Sequence, residues 1–365
     1  MSEKTSSVHY INYLQLDKVL DAQHLISDKK GKAAHEEMLF IIIHQTYELW
    51  FKQILHEIQS VMDLFKADKI DESSVGVVVR RMDRVNKIMT TLVGQLDILE
   101  TMTSLDFLDF RDHLSPASGF QSHQFRKLEV MLGLKIKQRH QLGGCPYHSQ
   151  FEGEKKEEIL NLEEGDSLLT LVEKWLERTP FLQMDEFNFW ASYQTAVEEM
   201  IQNDINQIKA NTQFDKETQK NSLKQYDAIQ RTYDALFDEE KYFQLQKEGH
   251  RRLSQKATLG ALFIQLYRDE PILQLPHRLL TQLINVDQLF TSWRNRHRLL
   301  VFRMIGVKIG TGGSTGHAYL KKTAEQHSVF RDFANLSTYI IPRSSLPTLT
   351  KELKKELGFY FTHGK

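Results

Sequence analysis

WRNRHRLLVFRMIGVKIGTGGSTG, residues Trp293 to Gly316, is the end of a long helix running into a glycine-rich turn. Leu279, Leu283, Val286, Phe290, Trp293, His297, Leu300 and Met304 recur every three or four residues, which places them on one side of a helix facing a core. His297 shares that apolar side, whereas Arg294, Arg296, Arg298 and Arg303 are expected to point mostly elsewhere. GTGGSTG then stops the helix, since glycine lowers helix propensity and admits φ > 0. A histidine in an apolar stripe is either a packed core side chain or a metal ligand in a dry wall. The turn is either a plain helix stop or an anion cradle of backbone N–H groups with the hydroxyls of Thr311, Ser314 and Thr315. It is not a phosphate-binding P-loop, because it follows a helix and no lysine follows Gly316.

Working back towards the N-terminus, Asp71 to Met102 carries Val78, Met82, Val85, Met89, Leu92, Leu96 and Leu99 at alternating spacings of four and three. That is a bundle seam, read as architecture. The preceding helix has the stripe Phe40, Ile43, Tyr47, Trp50, Ile54, Ile58, Val61 and Phe65. His44 lies on a neighbouring face with Phe40 and Phe51, either as a packed ring or as a hydrogen-bond partner for a flat ligand between two phenylalanines.

Between these landmarks, LDFLDFRDHLSPASGFQSHQ (Leu105 to Gln124) sets Arg111 one turn after Phe107, with Phe110 and Leu114 on the same face. Arg111 suits either a surface ion pair with Asp109 or Asp112 or a fork for a carboxylate. Ser115 and Ser118 precede a second helix expected to begin near Ser118, whose free N–H groups suit an anion. Gln141 to Gly165 reads as a break, with EGEKKEE a solvated charge run. Asn188 to Glu248 reads as a polar helical excursion, an αα-hairpin anchored by Phe237, Tyr242 and Phe243. No strand-rich region and no internal repeat emerge, and the architecture is expected to be all-α.

Composition narrows the function. With 47 Lys and Arg against 48 Asp and Glu, the net charge of −1 offers no field to recruit nucleic acid or an acidic membrane. One cysteine, Cys145, excludes an intramolecular disulfide and fits a reducing compartment. MSEKTSSVHY has no apolar core like that of a signal peptide, and no apolar run is long enough to span a bilayer. Fifteen histidines include neither HExxH nor CxxCH, so the common zinc helix and covalent haem attachment are both excluded.

Several long motifs then stand in register: YxxYLxLD at Tyr10 to Asp17, HEEMLFIIIHQTYELWFK at His35 to Lys52, DFRDHLSPASGFQS at Asp109 to Ser122, the Trp293 to Gly316 segment, and NLSTYIIPR at Asn335 to Arg343. Together they resemble the tryptophan 2,3-dioxygenase family of haem enzymes, and the polar stretch around residues 205–250 looks like its longer, eukaryotic-type branch. The resemblance implies one all-helical domain over residues 1–365: a helical bundle with a haem pocket, an N-terminal arm over about 1–30 and a helical excursion over about 205–250. It implies haem b with His297 as the iron's axial ligand and Ser118 and Gly119 in the loop beside the haem. L-Tryptophan would lie with its indole N–H on His44, its ring between Phe40 and Phe107, its carboxylate on Arg111 and its head group on Thr311. Tyr10, Tyr13 and Leu14 would complete a neighbouring subunit's pocket in a homotetramer, a dimer of dimers, in the cytoplasm. The implied reaction is cleavage of the indole C2–C3 bond by O₂ to N-formylkynurenine. Three positions depart from the family's habit: Ile11 replaces a frequent glycine, Asn295 an aromatic, and Phe107 a tyrosine of some relatives. A related oxygenase of another indole or aromatic amino acid, and a non-catalytic haem-binding helical protein, share much of this pattern.

Overall fold

Three long helices lie at the centre of the computed structural model, which describes residues 8–136, 150–184, 187–308 and 316–359. In chain order, α1 (Tyr10–Leu14), α2 (Leu16–Leu20) and α3 (Ile26–Lys29) lead into α4 (His35–Phe65) and α5 (Glu72–Leu99). Then come α6 (Ser104–Arg111), α7 (His123–Leu132), α8 (Gly153–Glu164) and α9 (Leu168–Glu177). A short antiparallel ribbon, β1 (Gln183–Met184) with β2 (Phe187–Asn188), precedes α10 (Phe189–Ala210), α11 (Lys216–Phe237) and α12 (Glu239–Lys247). The chain closes with α13 (Gln255–Leu266), α14 (Gln274–Ile305), α15 (Gly316–Gln326), α16 (Arg331–Asn335) and α17 (Lys351–Leu357). The architecture is all-α, as the periodicity of the sequence predicts.

The seam of α5 is buried along its length, from Val78 to Leu99, and packs against α4 and α14. Each such aliphatic side chain removed from water contributes roughly 1.5–3 kcal/mol. Polar ties set the register of the three helices. Tyr47 Oη donates to Leu92 O at 2.6 Å, joining α4 to α5. Asn86 Nδ2 donates to Gln282 O at 3.1 Å, and Arg296 Nη1 to Val93 O at 3.1 Å, joining α5 to α14. On α4 the sequence stripe is corrected at one position: Trp50 is 37% exposed and Phe51 is buried in its place. At about 100° per residue, Phe51 lies about 40° from Tyr47 whereas Trp50 lies about 60° to the other side.

Three other expectations change. The charge run after Gly153 is a helix, α8, because Ile159 gives it one fully buried anchor on α7 and Lys135 Nζ donates to the carbonyls of Glu163 (2.6 Å) and Gly165 (2.8 Å) at its end. The helix expected near Ser118 is instead a 3-10 turn, Gly119–Gln121, and α7 starts at His123 with Ser122 as its cap, accepting from Phe125 N at 3.2 Å. In the polar stretch, α10 and α11 pack together and Tyr242 is buried, but Phe243 is 65% exposed and anchors nothing. The base of that hairpin reaches the core through Tyr193, whose hydroxyl donates to Tyr339 O at 2.5 Å. At the N-terminus, Glu37 accepts from Ile26 N (2.8 Å) and Ser27 N (3.0 Å), and Gln45 Nε2 donates to Ala22 O at 2.9 Å. These bonds pin residues 22–27 to α4, while α1 and α2 bury none of their side chains.

Candidate active site

A cavity of about 320 Å³ opens where α4, α6, α7 and α14 converge. Its wall is built of Phe40, His44, Tyr47 and Phe51 from α4, Phe107 and Arg111 from α6, and Trp293, His297 and Leu300 from α14. Ser118 and Gly119 line it from the 3-10 turn. The structure thus gathers seven of the sequence-derived site residues: Phe40, His44, Phe107, Arg111, Ser118, Gly119 and His297. Tyr10, Tyr13 and Leu14 do not join them; they are 70%, 72% and 40% exposed in α1. Thr311 and the glycine-rich turn lie outside the described residues.

The aromatic wall is assembled by helical spacing. Phe40 and His44, one turn apart, have ring centroids 4.1 Å apart. Phe107 packs 5.8 Å from Phe40 and edge-on to Phe110 at 5.4 Å and 88°. On the other side Trp293 lies 5.1 Å from His297 with 11° between the ring planes. α6 is fixed at its N-terminal end. Thr103 and Asp106 form a reciprocal cap, and Ser104 Oγ donates to Arg303 O of α14 at 2.8 Å. Arg111 is the last residue of this helix, with its side chain 16% exposed. The surface pair with Asp112 exists at 3.8 Å, but Asp112 is 89% exposed, so it contributes about 0–1 kcal/mol and does not draw Arg111 away from the cavity.

The two histidines are electrostatically defined. His44 Nδ1 sits 2.6 Å from the carbonyl oxygen of Phe40. A carbonyl only accepts, so Nδ1 donates and Nε2 is left with its lone pair. Burial lowers the His44 pKa, opposed by that carbonyl and by Glu48, and the ring is neutral at neutral pH. His297 is pushed down to about 4 by burial first and by the neighbouring His44 second. It presents a neutral imidazole, the form that binds a metal. Among the described residues no group of three His, Cys, Asp or Glu side chains gathers to hold a bare ion.

A charged cluster in the same wall was not foreseen. Arg126 donates to Glu129 at 2.7 Å, Arg294 donates to Glu129 at 2.9 Å and to His327 O at 2.7 Å, and all four residues are less than 9% exposed. Arg294 is thus corrected: it is buried, because Glu129 on α7 supports a charge that burial alone would disfavour. The available signal was Arg126 and Glu129 at i and i+3 on an otherwise apolar helix. The segment carrying His327 is held by Asp287, which accepts from Ser328 Oγ (2.6 Å), Val329 N (2.8 Å) and Phe330 N (2.5 Å). Glu48 likewise accepts from Ser122 Oγ at 2.5 Å and Gln124 Nε2 at 2.9 Å, docking the start of α7 beside the cavity.

Fold and site together define an all-α protein whose bundle encloses an aromatic cavity with two neutral histidines and an arginine in its wall. Sequence comparison sharpens that class. The chain belongs to the tryptophan 2,3-dioxygenase family, whose sequence profile matches residues 1–340. It is 48% identical over 358 residues to the tryptophan 2,3-dioxygenase of Bdellovibrio bacteriovorus, covering 98% of this chain and 100% of that protein. It is 45% identical over 353 residues to that of Dictyostelium discoideum (96% and 88%) and 45% identical over 350 residues to that of Mus musculus (95% and 86%). Among the described residues no helix is long and apolar enough to cross a membrane.

Proposed function

We propose that this chain is a haem dioxygenase that opens the indole C2–C3 bond of L-tryptophan, taking both atoms of O₂ into N-formylkynurenine. The observation that carries the reading is one cavity bearing a neutral His297, a His44 with its Nε2 lone pair available, and Arg111, in a chain of this family. The residues fit haem b. His297 is a neutral imidazole in an apolar wall, and the Arg126–Glu129–Arg294 cluster, two cations to one anion, suits a group that carries carboxylates. When bound, ferrous haem supplies the activation of O₂.

The remaining work falls to side chains. Phe40 and Phe107 confine the flat indole, which fixes C2 and C3 in position. His44 Nε2 accepts the indole N–H, so it orients the ring and need not remove a proton. Arg111 takes the carboxylate as a two-pronged donor, and Thr311 meets the head group. An indole amine without a carboxylate would leave the Arg111 charge facing an apolar ligand, so it is rejected. Ser118 and Gly119, which line the cavity, would lie beside the haem. The whole chain, residues 1–365, works as one haem domain with its polar hairpin as an appendage. The exposed rings of Tyr10 and Tyr13, with Leu14, enter the neighbouring subunit's cavity in a homotetramer built as a dimer of dimers. The cytoplasm suits a chain with the single cysteine Cys145.

The test is anaerobic reduction of haem-loaded protein followed by L-tryptophan and O₂, with absorbance and mass detection. Stoichiometric N-formylkynurenine supports the reading. A haem spectrum without that product refutes the substrate, and failure to bind haem refutes the reading as a whole. His297→Ala should lose the native haem spectrum; a variant that keeps it would remove His297 from the axial position.

A further inference from the structure

A histidine that ligates a metal normally has its second ring nitrogen held by a carboxylate or a carbonyl, which fixes the plane of the ring. Among the described residues none makes a hydrogen bond to the His297 ring. What touches its face is Trp293, one turn earlier on α14, at a centroid distance of 5.1 Å and an interplanar angle of 11°. The indole is itself immobilised from two other helices. Phe125 of α7 packs against it at 5.2 Å, and Tyr47 of α4 meets it at 6.1 Å and 62°, with the Tyr47 hydroxyl tied to Leu92 O of α5. The torsion that turns an imidazole is broad and soft, so a flat neighbour on its face is an effective constraint.

We propose that Trp293 is the positioning residue for His297: its stacked indole sets the plane of the imidazole and so the direction of the lone pair offered to the iron. The proposal rests on the reading of His297 as axial ligand.

The test compares the purified holoprotein with Trp293→Phe and Trp293→Leu, each checked for native helical circular dichroism. The readouts are the iron–histidine stretching band in the ferrous, substrate-free resonance Raman spectrum and the rate of haem b transfer to an excess of acceptor apoprotein. Trp293→Phe keeps a flat ring and should keep the band, with haem release within about two-fold of the parent, whereas Trp293→Leu should shift and broaden the band and release haem roughly 10-fold faster. If Trp293→Leu loses helical structure, Trp293→Met, which fills the volume without a flat ring, takes its place. A ring-free variant with the parental band and release rate overturns the proposal, as does a Phe variant that behaves like the Leu variant. Failure of the underlying reading is separate: it shows as an iron–histidine band that survives His297→Ala.

Discussion

The tautomer of His44 can be tested with the substrate rather than the protein. Its Nδ1 donates to the Phe40 carbonyl at 2.6 Å, so Nε2 can only accept, and its lowered pKa keeps it that way at neutral pH. An isostere of L-tryptophan in which sulfur replaces the indole N–H has nearly the same shape and offers no donor. Bound in the same pose, it covers the Nε2 acceptor without satisfying it, which costs about 1–3 kcal/mol, or roughly a 5- to 150-fold weaker Kd. In His44→Ala no acceptor remains to be stranded, so the two ligands should bind alike, within about 0.5 kcal/mol. The assay is equilibrium absorbance titration of haem-loaded protein and variant with each ligand, which completes a double cycle between one side chain and one substrate atom. A coupling energy of about 1 kcal/mol or more supports the assignment. Equal discrimination by parent and His44→Ala would refute it, because the N–H would then be recognised elsewhere.

Arg111→Leu should raise the KM for L-tryptophan by roughly 10- to 100-fold or more, as expected for a lost charge-assisted bidentate contact, and leave the haem spectrum intact; steady-state kinetics decide, and an unchanged KM removes Arg111 from the carboxylate. Glu129→Ala strands two buried guanidiniums and should destabilise the fold by about 3–5 kcal/mol, read by urea denaturation, while Glu129→Gln, which keeps the shape and one acceptor, should lose less. Haem-free protein should weaken as pH falls from about 6.5 to about 4, because the unfolded chain protonates His297 before the folded one does. That window corresponds to about 3 kcal/mol from His297, with His44 acting in the same direction, and denaturation curves of His297→Phe against pH should be correspondingly flatter.

Periodicity alone carried the helices a long way. The α5 seam, the α14 stripe and the direction of His44 and His297 all follow from residues 100° apart on a cylinder; burial bears out the seam and most of the stripe, and both histidines line the cavity. Motif order along the chain pointed to the family, and the profile match agrees. Local pattern failed where a distant partner changed the balance. Trp50 and Phe51 flank Tyr47 at about 60° and about 40° on opposite sides, so spacing alone did not separate them, and the packing of α4 against α5 and α7 decided that Phe51 is buried. Arg294 read as a solvent-facing charge because its partner, Glu129, is 165 residues away in sequence. The α8 charge run became a helix through one buried isoleucine and a lysine from another segment.

The chain's sequence by itself determined that the protein is all-α, which faces of its long helices are apolar, and that two histidines lie on them, since these depend on neighbours three and four residues apart. Only the tertiary structure decided that α4, α6, α7 and α14 close around one cavity, that His44 donates through Nδ1 and keeps Nε2 for a ligand, and that Trp293 stacks on His297. The cavity turns on distances between residues far apart in the chain; the other two join residues only four apart, where spacing leaves several rotamers open and only the surrounding packing selects one.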